Sequence, residues 1–250
     1  MRREFEFLAS LVYFIEAKTV VEVGVQFGNM AVYIAKAVQR NGGKYIGFDI
    51  WDIHGQVRQF WQMSNKEEVQ NRLINEGLNN FELIQIDTIN NQKLFEQKLK
   101  NHCPNGIDFA FIDGDHSYKG IANDFFTVYP LLNPKGVIAF HDTASIDGCR
   151  EFMLDLRTKY YDGTFDLIDF PFGVEERHGG VSILSKRSYH MPDIKIDEVC
   201  GSISEPKLIE QKELEWYNTI ITSVEPETYN FDITQKINHI GYYPERKKYE

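Results

Sequence analysis

The sequence predicts an α/β protein whose core is a doubly wound, mostly parallel sheet of seven strands, the last running antiparallel. Three observations carry this. Short apolar runs ending in Gly or Asp alternate with segments of helical spacing, as β-α units require. The first two runs, Thr19–Gly24 and Lys44–Asp49, flank an Ala-rich helical segment. They make a β-α-β unit of about thirty residues, of the kind that holds nucleotides in doubly wound sheets. The final runs, Phe165–Phe170 and Val181–Leu184, are joined by residues 171–180 with no helical segment between them, so they pair antiparallel.

Each element follows from its residues. Apolar positions 5, 8, 11, 12 and 15 give a first amphipathic helix over Phe5–Ala17. The β-branched run Thr19–Val23 is the first strand; a helix opens at Gly28-Asn29 and stops at Asn41-Gly42-Gly43. Lys44–Asp49 is the second strand. Residues 50–63 carry Trp51, His54, Phe60 and Trp61, an aromatic load that fits a substrate-side lid, a subunit contact or a loop folded onto the core. A helix over Glu67–Gly77, the strand Phe81–Asp87 and a short helix near Lys93–Lys100 follow. Phe109–Ile112 is apolar throughout and reads as a strand buried on both faces. Ser117 caps a helix over Tyr118–Leu132, and Asn133–Gly136 is a tight turn. Val137–Phe140 is the fifth strand, and Glu151–Tyr160 a helix before the hairpin. Residues 187–250, punctuated by Pro192, Pro206, Pro226 and Pro244 with one helix over about Lys207–Ile221, form a C-terminal extension to a domain of residues 1–186. Its expected role is packing, oligomerisation or cover on the substrate side.

Composition excludes several classes. A formal net charge of −10 disfavours nucleic acid as partner. No apolar run approaches the ~20 residues of a membrane span, and the start of the chain, interrupted by Glu6 and Glu16, is a poor signal peptide. Cys103, Cys149 and Cys200 lie far apart with no metal-ligand spacing, as expected of reduced thiols in a cytoplasmic protein.

The chemistry-bearing residues gather at the carboxyl ends of the strands, where open α/β sheets bind ligands. The first strand ends in E-x-G-x-x-x-G, that is Glu22, Gly24 and Gly28, a turn that lets a ligand approach the backbone. It lacks the G-x-G-x-x-G of pyrophosphate binders, which disfavours NAD and FAD. Asp49 ends the second strand, and its two oxygens can accept both hydroxyls of a ribose. Asp87 ends the third. The fourth ends in Asp113, Asp115 and His116, and the fifth in His141 and Asp142. Two adjacent strands thus deliver three carboxylates and two imidazoles, enough for a metal site and a general base. His54 and His178 are lone loop histidines, and Gly173, Gly179 and Gly180 are turn glycines.

With E-x-G-x-x-x-G, Asp49, Asp87, F-I-D-G-D-H-S-Y at 111–118, P-K-G-V-I-A-F-H-D at 134–142 and the closing hairpin, residues 5–186 resemble the class I S-adenosylmethionine (SAM)-dependent methyltransferases. More narrowly they are similar to the branch holding macrocin O-methyltransferase and the cephalosporin hydroxylase-associated methyltransferases. The resemblance implies a Rossmann-like sheet and methyl transfer to a hydroxyl of a saccharide or related small metabolite. It implies that Glu22, Gly24 and Gly28 cradle the methionine part of SAM and that Asp49 holds its ribose. Ile50 or Trp51 would lie against the adenine, Asp87 and Thr88 would face the adenine amino group, and Asp113 would also border the cofactor. It implies a divalent metal such as Mg2+ on Asp113, His141 and Asp142, although His141 stands where an acid is commoner, and a catalytic base at Asp115, with His116 its rival on chemical grounds. A homo-oligomer is expected from the aromatic insertion and the long tail. Two other functions use the same residues: a metal-dependent hydrolase built on Asp113, Asp115, His116, His141 and Asp142, and a non-catalytic cofactor-binding or assembly domain docking through its tail.

Overall fold

A run such as Phe109–Ile112, apolar at successive positions, has to be covered on both faces. In the computed structural model, which describes residues 3–51, 65–172 and 179–187, helices supply that cover on each side. The elements in chain order are α1 (Arg3–Phe14), β1 (Thr19–Val23), α2 (Asn29–Arg40), β2 (Lys44–Asp49), α3 (Lys66–Asn75), β3 (Phe81–Gln85) and α4 (Gln92–His102). Then come β4 (Ile107–Ile112), α5 (Tyr118–Val128), a 3-10 turn (Tyr129–Leu131), β5 (Leu132–His141), α6 (Asp147–Thr158), β6 (Phe165–Phe170) and β7 (Val181–Lys186). The aromatic segment 52–63 with His54, the loop residues Gly173 and His178, Cys200 and the extension beyond residue 187 lie outside the described residues.

The strands form one seven-stranded sheet in the order β3-β2-β1-β4-β5-β7-β6. β7 is antiparallel to both neighbours, and the other pairs are parallel. Alternate residues of β4 serve opposite faces. Phe109 and Phe111 join a core with Leu8 and Val12 of α1, Ile34 of α2 and Leu73 of α3. Ala110 and Ile112 join another with Phe95 of α4, Phe125 of α5 and Phe152 of α6. Each fully buried Phe or Leu contributes roughly 1.5–3 kcal/mol.

The fifth strand departs from expectation. Asn133–Gly136 is not a turn that precedes the strand but an irregularity within it: Leu132 already pairs with Ile107, and the register shifts before Phe109 meets Val137. Lys135 takes a φ of 68° in this bulge. Asp108 secures it from the side. Its Oδ1 accepts the Asn133 side-chain N–H at 2.8 Å, and its Oδ2 accepts the backbone N–H groups of Lys18 and Thr19 at 2.8 and 2.9 Å. One carboxylate therefore ties together the entries of β1, β4 and β5. The helix before β5 also ends earlier than its apolar spacing implies, tightening to a 3-10 turn at Tyr129–Leu131, where Pro130 lacks the N–H an α-helix would use. α6 starts at Asp147 instead of Glu151, a carboxylate in the first turn suiting the helix dipole.

β1 sits between β2 and β4, so the chain leaves it in one direction and later crosses back to the other side. The crevice of such a sheet opens at this reversal, outside the carboxyl ends of β1 and β4. Cys103 and Cys149 are buried free thiols, each pushed up to about 12 by burial, hence unreactive. No helix among the described residues is long and apolar enough to cross a membrane.

Candidate active site

The turn after β1 is built by a close approach that only glycine allows. Gly24 has a φ of 92°, and a Cβ there would stand 2.1 Å from the carbonyl oxygen of Asp113. The Asp113 N–H donates to the Val23 carbonyl at 2.8 Å, which fastens the two strand ends at this point. Gly28 has a φ of 72° where α2 begins, and a Cβ on it would press into Val69 of α3.

Three carboxyl groups border this turn. Glu22 is buried and accepts the Tyr45 hydroxyl at 2.6 Å. Burial pushes its pKa up to about 8; the Tyr45 hydrogen bond works against this, while Asp113 and Asp49 add to it. Asp49 is also raised, by burial first, although its oxygens accept the backbone N–H groups of Gln26 at 2.7 Å and Trp51 at 2.6 Å. Asp113 touches both in charge. A crevice ringed by acids that disfavour one another's ionisation is complementary to a ligand carrying positive charge.

The residues expected on the adenine side stand in different surroundings. Trp51 is only 2% exposed; its ring belongs to the core and its indole N–H donates to the Gln26 carbonyl at 3.1 Å. Ile50 is half-buried. Asp87 is buried, and its carboxylate accepts the Ile89 and Asn90 N–H groups at 3.1 and 2.9 Å and the Asn90 side chain at 2.7 Å, which folds the turn into α4. Thr88 is linked to α5: its carbonyl accepts Asn123 at 3.1 Å and its hydroxyl bonds Asp124.

At the ends of β4 and β5 the structure brings together Asp113, His116, His141 and Asp142. Asp113 Oδ1 lies 3.1 Å from both His116 Nε2 and His141 Nδ1. His116 Nδ1 faces Asp142 Oδ2 at 3.6 Å, and His141 Nδ1 stands 3.4 Å from Asp142 Oδ1. Burial pushes Asp113 up, but the His141 charge and the His116 hydrogen bond hold it below the usual carboxylate range. Burial pushes His141 down, and Asp113 and Asp142 carry it well above the ordinary imidazole value. Asp142 takes a φ of 56°, an uncommon backbone for a non-glycine residue, and so turns its carboxylate toward the cluster.

This donor set fits a cation. One ligand atom from each of Asp113, His141 and Asp142 lies within 4.8 Å of the others. His141 Nδ1 is buried, with Asp113 Oδ1 at 3.1 Å and Asp142 Oδ1 at 3.4 Å on its two sides. The three donor atoms therefore converge. Two carboxylates and one imidazole suit a borderline divalent ion such as Mn2+, Fe2+ or Co2+ better than Mg2+, which favours oxygen throughout.

Asp115 is not drawn into the cluster. It is exposed, its Oδ1 accepts the Ser117 N–H at 2.8 Å, and it packs where a side chain on Gly120 would be. Ser117 in turn caps α5 by accepting the Gly120 N–H at 3.0 Å.

Three residues escape a reading of the sequence. Tyr45, which holds Glu22, looks like any strand aromatic. Asp124 is fully buried, pushed up to about 7 by burial, yet its only signal is a charge between Ile121 and Phe125 on an apolar helix face. Glu4 is buried beside His141, and nothing in the pattern of α1 marks it.

A glycine turn at the sheet's reversal, acids at successive strand ends and the 3-2-1-4-5-7-6 order are those of a Rossmann-like methyltransferase fold. Residues 21–143 match the family described as "Methyltransferase domain". Among solved structures, the O-methyltransferase TomG of Streptomyces achromogenes, involved in tomaymycin synthesis and solved with SAM, is 16% identical. The likeness covers 74% of this chain and 79% of that one at a TM-score of 0.57. An O-methyltransferase of Bacillus cereus, solved with SAH, is 16% identical over 74% of this chain and 80% of that one at a TM-score of 0.58. At this identity the likeness is one of fold. A curated protein of Acanthamoeba polyphaga mimivirus is 54% identical over 39 residues, which span 16% of this chain and 18% of the viral protein.

Proposed function

We propose that this protein transfers the methyl group of SAM to a hydroxyl of a small metabolite of saccharide type, with a divalent metal held by Asp113, His141 and Asp142. The observation that carries the reading is the contact of Gly24 with Asp113, because it sets the cofactor turn directly against the first residue of the acid–imidazole cluster. The ring of acids at Glu22, Asp49 and Asp113 supports a ligand with a sulfonium and an ammonium. In this reading Gly24 and Gly28 admit the methionine part, Asp49 uses its remaining lone pairs for the ribose, and Ile50 and Thr88 border the adenine.

Methyl transfer is an in-line displacement, so the chain's task is to align the acceptor oxygen and remove its proton. A bound metal would lower the pKa of the acceptor hydroxyl. His116 is the base the geometry favours over Asp115. Its Nε2 is steadied by Asp113, while its Nδ1, 3.6 Å from Asp142, lies beyond hydrogen-bond range and is left to take a proton. Asp115 orders the start of α5. In this reading residues 187–250 are a C-terminal extension to the catalytic domain, and the protein is a cytoplasmic homo-oligomer.

Titration calorimetry with S-adenosylhomocysteine, in EDTA and then in Mn2+ or Mg2+, tests the reading. Micromolar binding in either condition is expected. Absence of binding in every condition overturns it and favours a hydrolase built on the same acids and imidazoles. His116→Asn should keep that affinity and slow turnover, whereas an unimpaired rate would return the base to Asp115.

A further inference from the structure

The first turn of α1 reaches the end of β5. Phe7 packs on Phe170 and Phe172 at 4.9 and 5.3 Å between ring centroids, and Phe5 packs on Tyr33 of α2 at 5.6 Å. These contacts fix the helix start over the end of β6 on one side and α2 on the other. Glu4, only 9% exposed, is thereby carried to the rear of His141, with its Oε1 3.9 Å from Nε2.

His141 has two distinct nitrogens in two distinct surroundings. Nδ1 faces Asp113 and Asp142, and Nε2 faces Glu4. The ring stands edge-on to Phe111, at 5.8 Å and 70°, which limits its rotation. An imidazole can give a lone pair to a metal from one nitrogen only if its proton resides on the other, and a carboxylate beyond that other nitrogen fixes the tautomer and raises basicity.

Resting on the metal reading above, we propose that Glu4 is a positioning residue of the metal centre: it receives the Nε2–H of His141 and so presents Nδ1 to the ion. The N-terminal helix is then part of the active site. A histidine at this position calls for a second carboxylate behind it, which an aspartate there would not. The 3.9 Å separation is longer than a hydrogen bond, and the proposal has the Glu4 carboxylate close it when the ion binds.

The test is titration of the full-length protein with Mn2+ by calorimetry and with Co2+ by visible absorption. Glu4→Ala, Glu4→Gln, His141→Asp and the Glu4→Ala/His141→Asp double variant are compared, with thermal melting as a fold control. Glu4→Ala should weaken Mn2+ binding about 10–100-fold, the usual loss for a partner behind a ligand. Glu4→Gln, whose amide oxygen still accepts Nε2–H, should recover most of it, and the Co2+ spectrum should change on Glu4→Ala. In the His141→Asp background Glu4→Ala should cost nothing further. Unchanged Mn2+ affinity in a folded Glu4→Ala protein overturns the proposal, as does an equal loss in both backgrounds, which would mark a general charge effect. If the unaltered protein binds neither ion while still binding S-adenosylhomocysteine, the metal reading fails and this proposal with it.

Discussion

Glu22 has an acid's side chain but, with its pKa near 8, enters neutral solution largely protonated. Its folded value lies above the unfolded one of 4.5, so the stability it contributes is complete below about 4.5 and is lost as pH rises through 8. The slope approaches about 1.4 kcal/mol per pH unit inside that window. Glu22→Gln should flatten it in thermal melts recorded from pH 4.5 to 8.5. A ligand with an ammonium beside Glu22 should draw the proton off. Binding of S-adenosylhomocysteine near pH 7 should therefore release protons, measured as a dependence of the calorimetric heat on the buffer's ionisation enthalpy, and Glu22→Gln should abolish that dependence. Asp49 differs, because backbone N–H groups of Gln26 and Trp51 already steady it. Asp49→Ala should weaken cofactor binding by about 1.5–3 kcal/mol, the scale of hydrogen bonds to a charged group. Unchanged affinity would remove it from the ribose.

Among the elements, β5 shows where local pattern stops informing. Pro134 and Gly136 form a turn by their chemistry, and only the pairing of Leu132 with Ile107 makes the segment part of the sheet. That pairing is secured by Asp108, whose partners stand far from it in sequence, Asn133 25 residues on and Lys18 and Thr19 90 and 89 residues back. Asp108→Ala removes the acceptor for two backbone N–H groups and an amide, and should lower stability by roughly 1.5–3 kcal/mol in urea unfolding without affecting cofactor affinity. The strand-end acids were legible because strand ends announce themselves in sequence, by an apolar run meeting Gly or Asp. Trp51 was not. Its position after Asp49 suits a surface contact, and its burial arises from a positive φ of 39° that folds the indole under the Gln26 turn. Glu4 was illegible for a related reason, since its partner is contributed by a strand 137 residues on.

For the molecule as a whole, the alternation of apolar runs with helical segments sufficed to give the sheet and the antiparallel closure at β7. Both follow from a period of two meeting a period near 3.6, and from the absence of a crossover before the last strand. The described residues end at Arg187, whose guanidinium pairs with Asp166 of β6 and donates to the Gly163 carbonyl. A chain cut after residue 187 should unfold cooperatively and keep its affinity for S-adenosylhomocysteine. Light scattering of the cut and full-length proteins would then show whether residues 188–250 set the oligomeric state, and loss of cofactor binding would assign them to the site itself.

In the proposed reading, the backbone that would receive the cofactor is also the backbone that would carry the metal. Gly24 is pressed against the Asp113 carbonyl and Val23 accepts the Asp113 N–H, so neither strand end can shift alone. Two sites joined in this way share a coupling free energy, and such coupling is reciprocal. Whatever factor Mn2+ imposes on the dissociation constant of S-adenosylhomocysteine, S-adenosylhomocysteine should impose on that of Mn2+, and the two titrations run in opposite order should close a thermodynamic square.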